Sequence, residues 1–166
     1  ICQSAGTTGY KYTMGASIGT DPEDTIHTKL FIFWGINAVS TNMHQITLAQ
    51  KARKQGAKIV VIDVHKNQTG RMADWFIPLR PGTDSALALG IMHVLFKEER
   101  TDEAFLEAYT VGHKELREHV KQYDPDTVER ITGVPKGDII TLARMYAETS
   151  PSLIRIGNGL QHHDNG

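Results

Sequence analysis

Two unbroken apolar runs stand out from the polar pattern of the chain, Lys29-Leu-Phe-Ile-Phe-Trp-Gly-Ile-Asn37 and Lys58-Ile-Val-Val-Ile-Asp63. Neither alternates polar and apolar positions, so both read as strands of a sheet covered by helices on both faces. Between about Thr41 and Gln55 the apolar positions take helical spacing, with Ile46 beside Ala49 and Leu48 beside Ala52, and Gly56 suits a left-handed cap. A strand, a helix and a strand within about thirty residues predict a right-handed βαβ unit. Ligands of such sheets bind beyond the carboxyl ends of the strands, where neighbouring connections leave in opposite directions. Trp34 to Asn37, Asp63 to Lys66 and Gly82 to Asp84 are expected to gather at that edge.

The remaining pattern extends the same plan. Trp75-Phe-Ile-Pro78 predicts a short third strand, whose proline places it at an edge or a strand end. Arg80-Pro-Gly forces an extended residue and a tight turn. The helix that follows, about Ser85 to Glu99, carries the stripe Leu87, Ile91, Val94 and Leu95 and is expected to cover the sheet. Three short helices come next, Glu103 to Tyr109, about Lys114 to Gln122, and Asp124 to Ile131, forming a helical insert over about 101–134. Val134-Pro-Lys-Gly-Asp138 opens a last helix with Ile139, Leu142, Ala143 and Tyr146 on one face, and Ser152 to Ile156 gives a fourth strand. Residues 1–20 are rich in Gly, Ser and Thr, so their backbone is expected to turn tightly or approach a ligand, with Tyr10, Met14 and Ile18 suiting one helical face. The predicted fold is α/β, a Rossmann-like three-layer domain with a mainly parallel sheet and a helical insert, as a single domain over 1–166.

Composition narrows the function classes. The chain of 166 residues, 40% hydrophobic, is large enough for one ordinary core. A net charge of -1 argues against nucleic acid as a partner. No apolar run approaches the roughly 20 residues that span a bilayer, so no membrane insertion is expected. One cysteine excludes an internal disulfide or a metal cage made of cysteines alone. The start at Ile1 and the end at Asn165-Gly166 suggest a piece of a longer polypeptide, for which a cytoplasmic location is expected.

The spacing of the three rim segments carries a resemblance. Trp34-Gly-Ile-Asn37 closing one strand, Asp63 closing the next, then Ala73-Asp74, Arg80-Pro-Gly-Thr-Asp84 and Ala86-Leu87 resemble the molybdopterin oxidoreductases of the dimethyl sulfoxide reductase and formate dehydrogenase type. Two positions depart from that pattern: Val64 stands where a proline is common, and Gly70 where alanine is. The resemblance implies an enzyme whose cofactor is molybdopterin guanine dinucleotide with molybdenum or tungsten, and whose guanosine end lies on these loops. It implies cofactor contacts from Trp34, Gly35, Ile36, Asn37, Thr41, Ile62, Asp63, Val64, His65, Gly82, Thr83 and Asp84, and from Gln161 over the pterin end. Cys2 stands where the family has its metal-ligating and catalytic residue. Further domains of the parent chain are implied as partners, an electron-transfer partner is left open, and any iron-sulfur cluster belongs to a region upstream. The piece alone is expected to be inactive.

Read as residues, several of these positions have a structural alternative. Cys2 is a thiolate suited to a soft metal or a small half-buried side chain in a turn. Trp34 contacts a ligand or fills the core. Asn37 offers a donor and an acceptor to a base, or caps a helix. Asp84 accepts from the guanine N1 and N2 donors or caps the helix it begins. His65, Lys66, Arg71 and Arg80 are either surface charges or neighbours of a pyrophosphate. Lys51, Arg53 and Lys54 read as a solvated face near a helix end, and His113 and His119 as surface residues, since they lack the spacing of a helical metal pair. A plain nucleotide-binding domain, such as the middle domain of a thiamine-diphosphate enzyme, is the alternative function.

Overall fold

The computed structural model describes residues 2–163, with side chains from Ser4 onward. The chain divides into two compact units, one built from residues up to Gly82 together with those from Ser150, the other from Thr83–Thr149.

The first unit is the α/β unit. Its helices are α1 (Cys2–Met14), α2 (Ala38–Thr41), α3 (Met43–Lys54) and α4 (Gln68–Met72), and its strands are β1 (Leu30–Trp34), β2 (Lys58–Asp63), β3 (Trp75–Pro78) and β4 (Ser152–Ile156). Short 3-10 helices cover Pro22–His27 and Asn158–His162. The four strands form one sheet in the order β3-β2-β1-β4, every pair parallel. The unbroken apolar runs have the predicted cause: every residue of β1 is buried, as are Ile59 to Ile62 of β2. On one face Phe31, Phe33, Ile59 and Val61 pack with Ala38 and Ala49, the small helical residues letting α2 and α3 approach the rings. The two phenylalanine rings, two positions apart on one strand, lie 4.1 Å apart between centroids. Pro78 closes β3 at the edge of the sheet, where a missing N–H costs nothing.

Three expectations need correction here. The helix predicted from Thr41 begins at Ala38 and breaks at Asn42, whose backbone (φ -151°, ψ 62°) leaves the helical region before α3 starts. Residues expected to turn near the amino end instead form the helix α1. Tyr10 and Met14, four residues apart on it, share the expected helical face but are 37% and 48% exposed, and Ile18 lies beyond the helix. Arg53 is not simply solvated: its guanidinium donates to the Met72 carbonyl (3.0 Å) and pairs with Asp74 (2.5 Å). The second Asp74 oxygen accepts from the Ile59 N–H at 2.8 Å, so this carboxylate joins the end of α3 to the start of β2.

The second unit is helical. It comprises α5 (Asp84–Lys97), α6 (Glu103–Tyr109), α7 (His113–His119), α8 (Pro125–Thr132) and α9 (Lys136–Glu148). Helices α5, α8 and α9 pack on one another, with Val94, Val128, Ile139 and Leu142 buried. Gly90 is what admits α8: a β-carbon there would lie 2.8 Å from Val128. Asp102 and Asp124 cap α6 and α8 through their carboxylates, and Gly133, in the left-handed region, ends α8. His113 is only 10% exposed in its side chain, beside Glu107, and so is not the surface residue expected.

Candidate functional site

The carboxyl rim of the sheet is built by close backbone contact. Past β1 the chain turns at Gly35 in the left-handed region (φ +63°), and its N–H donates to the Ile62 carbonyl of β2 at 2.8 Å. Past β4 the Gly157 N–H donates to the Trp34 carbonyl at 2.8 Å. A β-carbon on Gly157 would lie 2.2 Å from the Gly35 carbonyl oxygen and 2.6 Å from Cβ of Ile36, so only glycine fits. The 3-10 turn after it lies on Gly35 through Leu160. Its Gln161 reaches α1, with the amide against Gly6 and the oxygen Oε1 buried without a hydrogen-bond donor among the described residues.

These contacts leave a cavity of about 360 Å³ at the rim, lined by Gly35, Ile36, Asn37, Thr41, Asn42, Arg155, Ile156, Gly157 and Asn158. That volume is in the range of small-ligand sites. Gly35, Ile36, Asn37 and Thr41 were among the sequence-predicted contacts. Asn42, Arg155 and Asn158 were missed. Arg155 is the penultimate residue of β4 in register with Phe33, and a charge at the carboxyl end of a parallel strand was the signal available for it.

The polar side chains of the rim hold one another. The Asn37 amide accepts from Thr69 Oγ1 at 3.0 Å and donates to Ser40 Oγ at 3.1 Å, while Thr69 Oγ1 also accepts from the Val39 N–H. Asn37 thus ties α2 to α4, and it retains one N–H and one lone pair. It is the residue preceding α2, yet its side chain makes no cap bond to that helix. Asp63 accepts from the His65 N–H at 3.3 Å and from Asn67 Nδ2 at 2.9 Å, and Asn67 in turn caps α4 at Gly70. In a loop that lacks the proline of the resembled pattern, these bonds restrain the turn.

The other predicted residues fall as follows. Trp34 and Ile62 are buried, at 6% and 0% exposure, and offer the rim their backbone. Val64 is 51% exposed and His65 is exposed. Gly82 turns in the left-handed region beside the His163 ring. Thr83 and Asp84 open α5 in the second unit. The Cys2 side chain lies outside the described residues. Of the cations considered for a pyrophosphate, His65, Lys66, Arg71 and Arg80, none lines the cavity, and the Lys66 ammonium lies 5.7 Å over the Phe76 ring. Among the described residues no cluster of three His, Cys, Asp or Glu could hold a metal ion by itself, and no helix is long and apolar enough to cross a membrane.

The fold is an α/β unit with a parallel sheet and a ligand-sized recess at its carboxyl edge. The family model described as molybdopterin oxidoreductase matches residues 2–166, and the chain belongs to that family. It is 79% identical over its whole length to the probable oxidoreductase YoaE of Bacillus subtilis (strain 168), covering 24% of that protein. It is 36% identical over 95% of its length to the dimethyl sulfoxide reductase DmsA of Escherichia coli (strain K12), covering 22%. Among solved structures it superposes on acetylene hydratase from Pelobacter acetylenicus with a TM-score of 0.86 and 33% identity, covering 98% of this chain and 22% of that one. The chain spans about a quarter of the length of these relatives. Membership of this family sets aside the thiamine-diphosphate alternative.

Proposed function

We propose that this chain is the part of a molybdenum or tungsten oxidoreductase that holds the guanosine end of one molybdopterin guanine dinucleotide, as a single cofactor-binding domain. The observation that carries the reading is the rim cavity, bounded by the Gly35 to Asn37 turn on one side and Gly157 and Asn158 on the other. The residues suit such a group. Gly157 leaves out a β-carbon that would close the pinch, and Gln161 carries a buried oxygen without a donor among the described residues.

In this reading Asp63 accepts from ribose hydroxyls with the lone pairs left by His65 and Asn67. Asn37 and Thr41 line the recess, Ile36 gives it an apolar wall, and Gln161 offers its oxygen to a pterin N–H. Backbone of Trp34, Gly35, Ile62 and Gly82 follows the ligand closely, and Val64 and His65 flank it. Cys2 supplies a thiolate to the metal. When bound, the metal centre supplies two-electron chemistry on the substrate of the parent enzyme, by oxygen-atom, hydride or proton-coupled transfer. The protein's part is to bind, orient and shield that centre.

The test is to denature the purified parent protein and identify the nucleotide released. A guanine nucleotide in stoichiometry with pterin is the expected result, and Asp63→Ala should lower the cofactor content without unfolding the chain. An adenine nucleotide, or a pterin with no nucleotide, would overturn the guanosine assignment.

A further inference from the structure

We infer that Arg155 is the residue that holds the anionic diphosphate of the ligand in the rim cavity. The inference rests on the cofactor reading above and adds to it a site residue that neither the sequence pattern nor the resemblance supplied. Among the described residues that line the cavity, Arg155 is the one with a charged side chain; the others are glycine, isoleucine, asparagine and threonine. It makes no ion pair with any described residue, unlike Arg53, Arg100, Arg117 and Arg144. Its register with Phe33 puts it on the same face of the sheet as Phe31, Phe33 and Leu153, the face that α3 covers. The other polar residues of the lining, Asn37, Thr41, Asn42 and Asn158, are all neutral.

A guanidinium left unpaired in a ligand-sized recess gains most from a ligand group with several anionic oxygens, since its fork of N–H donors matches phosphate geometry. The neutral asparagines bring no competing carboxylate, and Asp63, which closes β2 at the rim, has both oxygens accepting hydrogen bonds from its own loop. A dinucleotide cofactor carries such a group between its two halves. Arg155 would hold that diphosphate at the carboxyl end of β4.

The experiment compares Arg155→Gln and Arg155→Lys with the wild type in the intact parent protein, measuring pterin and nucleotide content on purification and the rate of cofactor loss at rising ionic strength. Arg155→Gln is expected to lose cofactor on the order of tenfold faster at low salt, with a flatter dependence on salt, and Arg155→Lys to recover part of the difference. Cofactor loss from Arg155→Gln at the wild-type rate and with the wild-type salt slope would overturn the inference. So would equal loss from both variants, because a charge-independent effect is structural. A wild-type protein that carries no guanine dinucleotide fails the proposed function instead, and the two failures are separate readings of one assay. Arg155 is exposed and unpaired, so the thermal midpoints of the three apo proteins should agree.

Discussion

Thr69 shows how much of the rim depends on one buried hydroxyl. It is fully buried, donates to the Asn37 amide oxygen and accepts from the Val39 N–H, both at 3.0 Å. Thr69→Val keeps the shape and leaves both partners unsatisfied, a loss of about 1–3 kcal/mol. Amide exchange of residues 37–41 should quicken accordingly, while that of β1 holds. Three glycines separate close approach from mere flexibility. A β-carbon on Gly157 meets backbone at 2.2 Å, one on Gly6 meets the movable Gln161 amide at 2.6 Å, and one on Gly9 meets nothing within 4 Å. Gly9→Ala should therefore stabilise α1 by up to about 1 kcal/mol through helix propensity. Gly6→Ala should gain less, because Gln161 must shift. Gly157→Ala should weaken protection of the Gly35 to Asn37 turn. Exchange rates of the α1 and rim amides would order the three variants, and equal effects from all of them would discount the contacts described.

At the scale of elements, the helical unit is fastened by ion pairs whose pH response has a defined sign. The Arg144 guanidinium, with Arg100 beside it, holds the Glu98 carboxyl below its ordinary 4.5. Thr101 and Arg117 do the same for Glu103, and Lys114 for Glu107. Backbone and hydroxyl donation from Thr127 lowers Asp124 below its ordinary 3.8 at the cap of α8. A carboxylate whose folded value is depressed contributes stability that is present above its unfolded value and lost as pH falls through the folded one. Protection of α5 and α9, corrected for intrinsic exchange, should therefore decline as pH is lowered from about 5 to about 3. Because these groups are exposed, added salt should shrink the decline. Glu98→Gln should flatten it for the contacts that join α5 to α9.

Whole-molecule behaviour tests the cofactor assignment in another way. Asn37 and Asp63 belong to the α/β unit, whereas Thr83 and Asp84 open the helical one. Loading the parent protein with cofactor should raise exchange protection at 62–65 in the first unit. Unchanged protection at 62–65 would remove Asp63 from the ligand's contacts.

The strands, the parallel sheet and most helices were legible in the sequence because burial on both faces leaves an unbroken apolar run, and because Gly, Pro and Asp mark the stops. Trp34-Gly-Ile-Asn37 and Asp63 were legible as rim residues for the same reason: the end of a buried parallel strand is fixed by its run. Local pattern offered Tyr10 and Met14 as a helical face but did not reveal the extent of α1, since its alanine, serine, threonines and glycines carry no apolar stripe and it packs on the Asn158–His162 turn through Gly6. Nor did it reveal Arg53 with Asp74, Gly90 with Val128, or Arg155 in the cavity. Each of these joins segments far apart in the chain.

The sequence by itself determined which segments are strands, where they end, and the family to which their spacing points, because those properties follow from periodicity and from residues adjacent in the chain. Only the tertiary structure decided which ends form one recess, which polar groups are already satisfied, and which cation is left unpaired inside it. Satisfaction and charge balance depend on partners brought together through space, and no spacing along the chain encodes them.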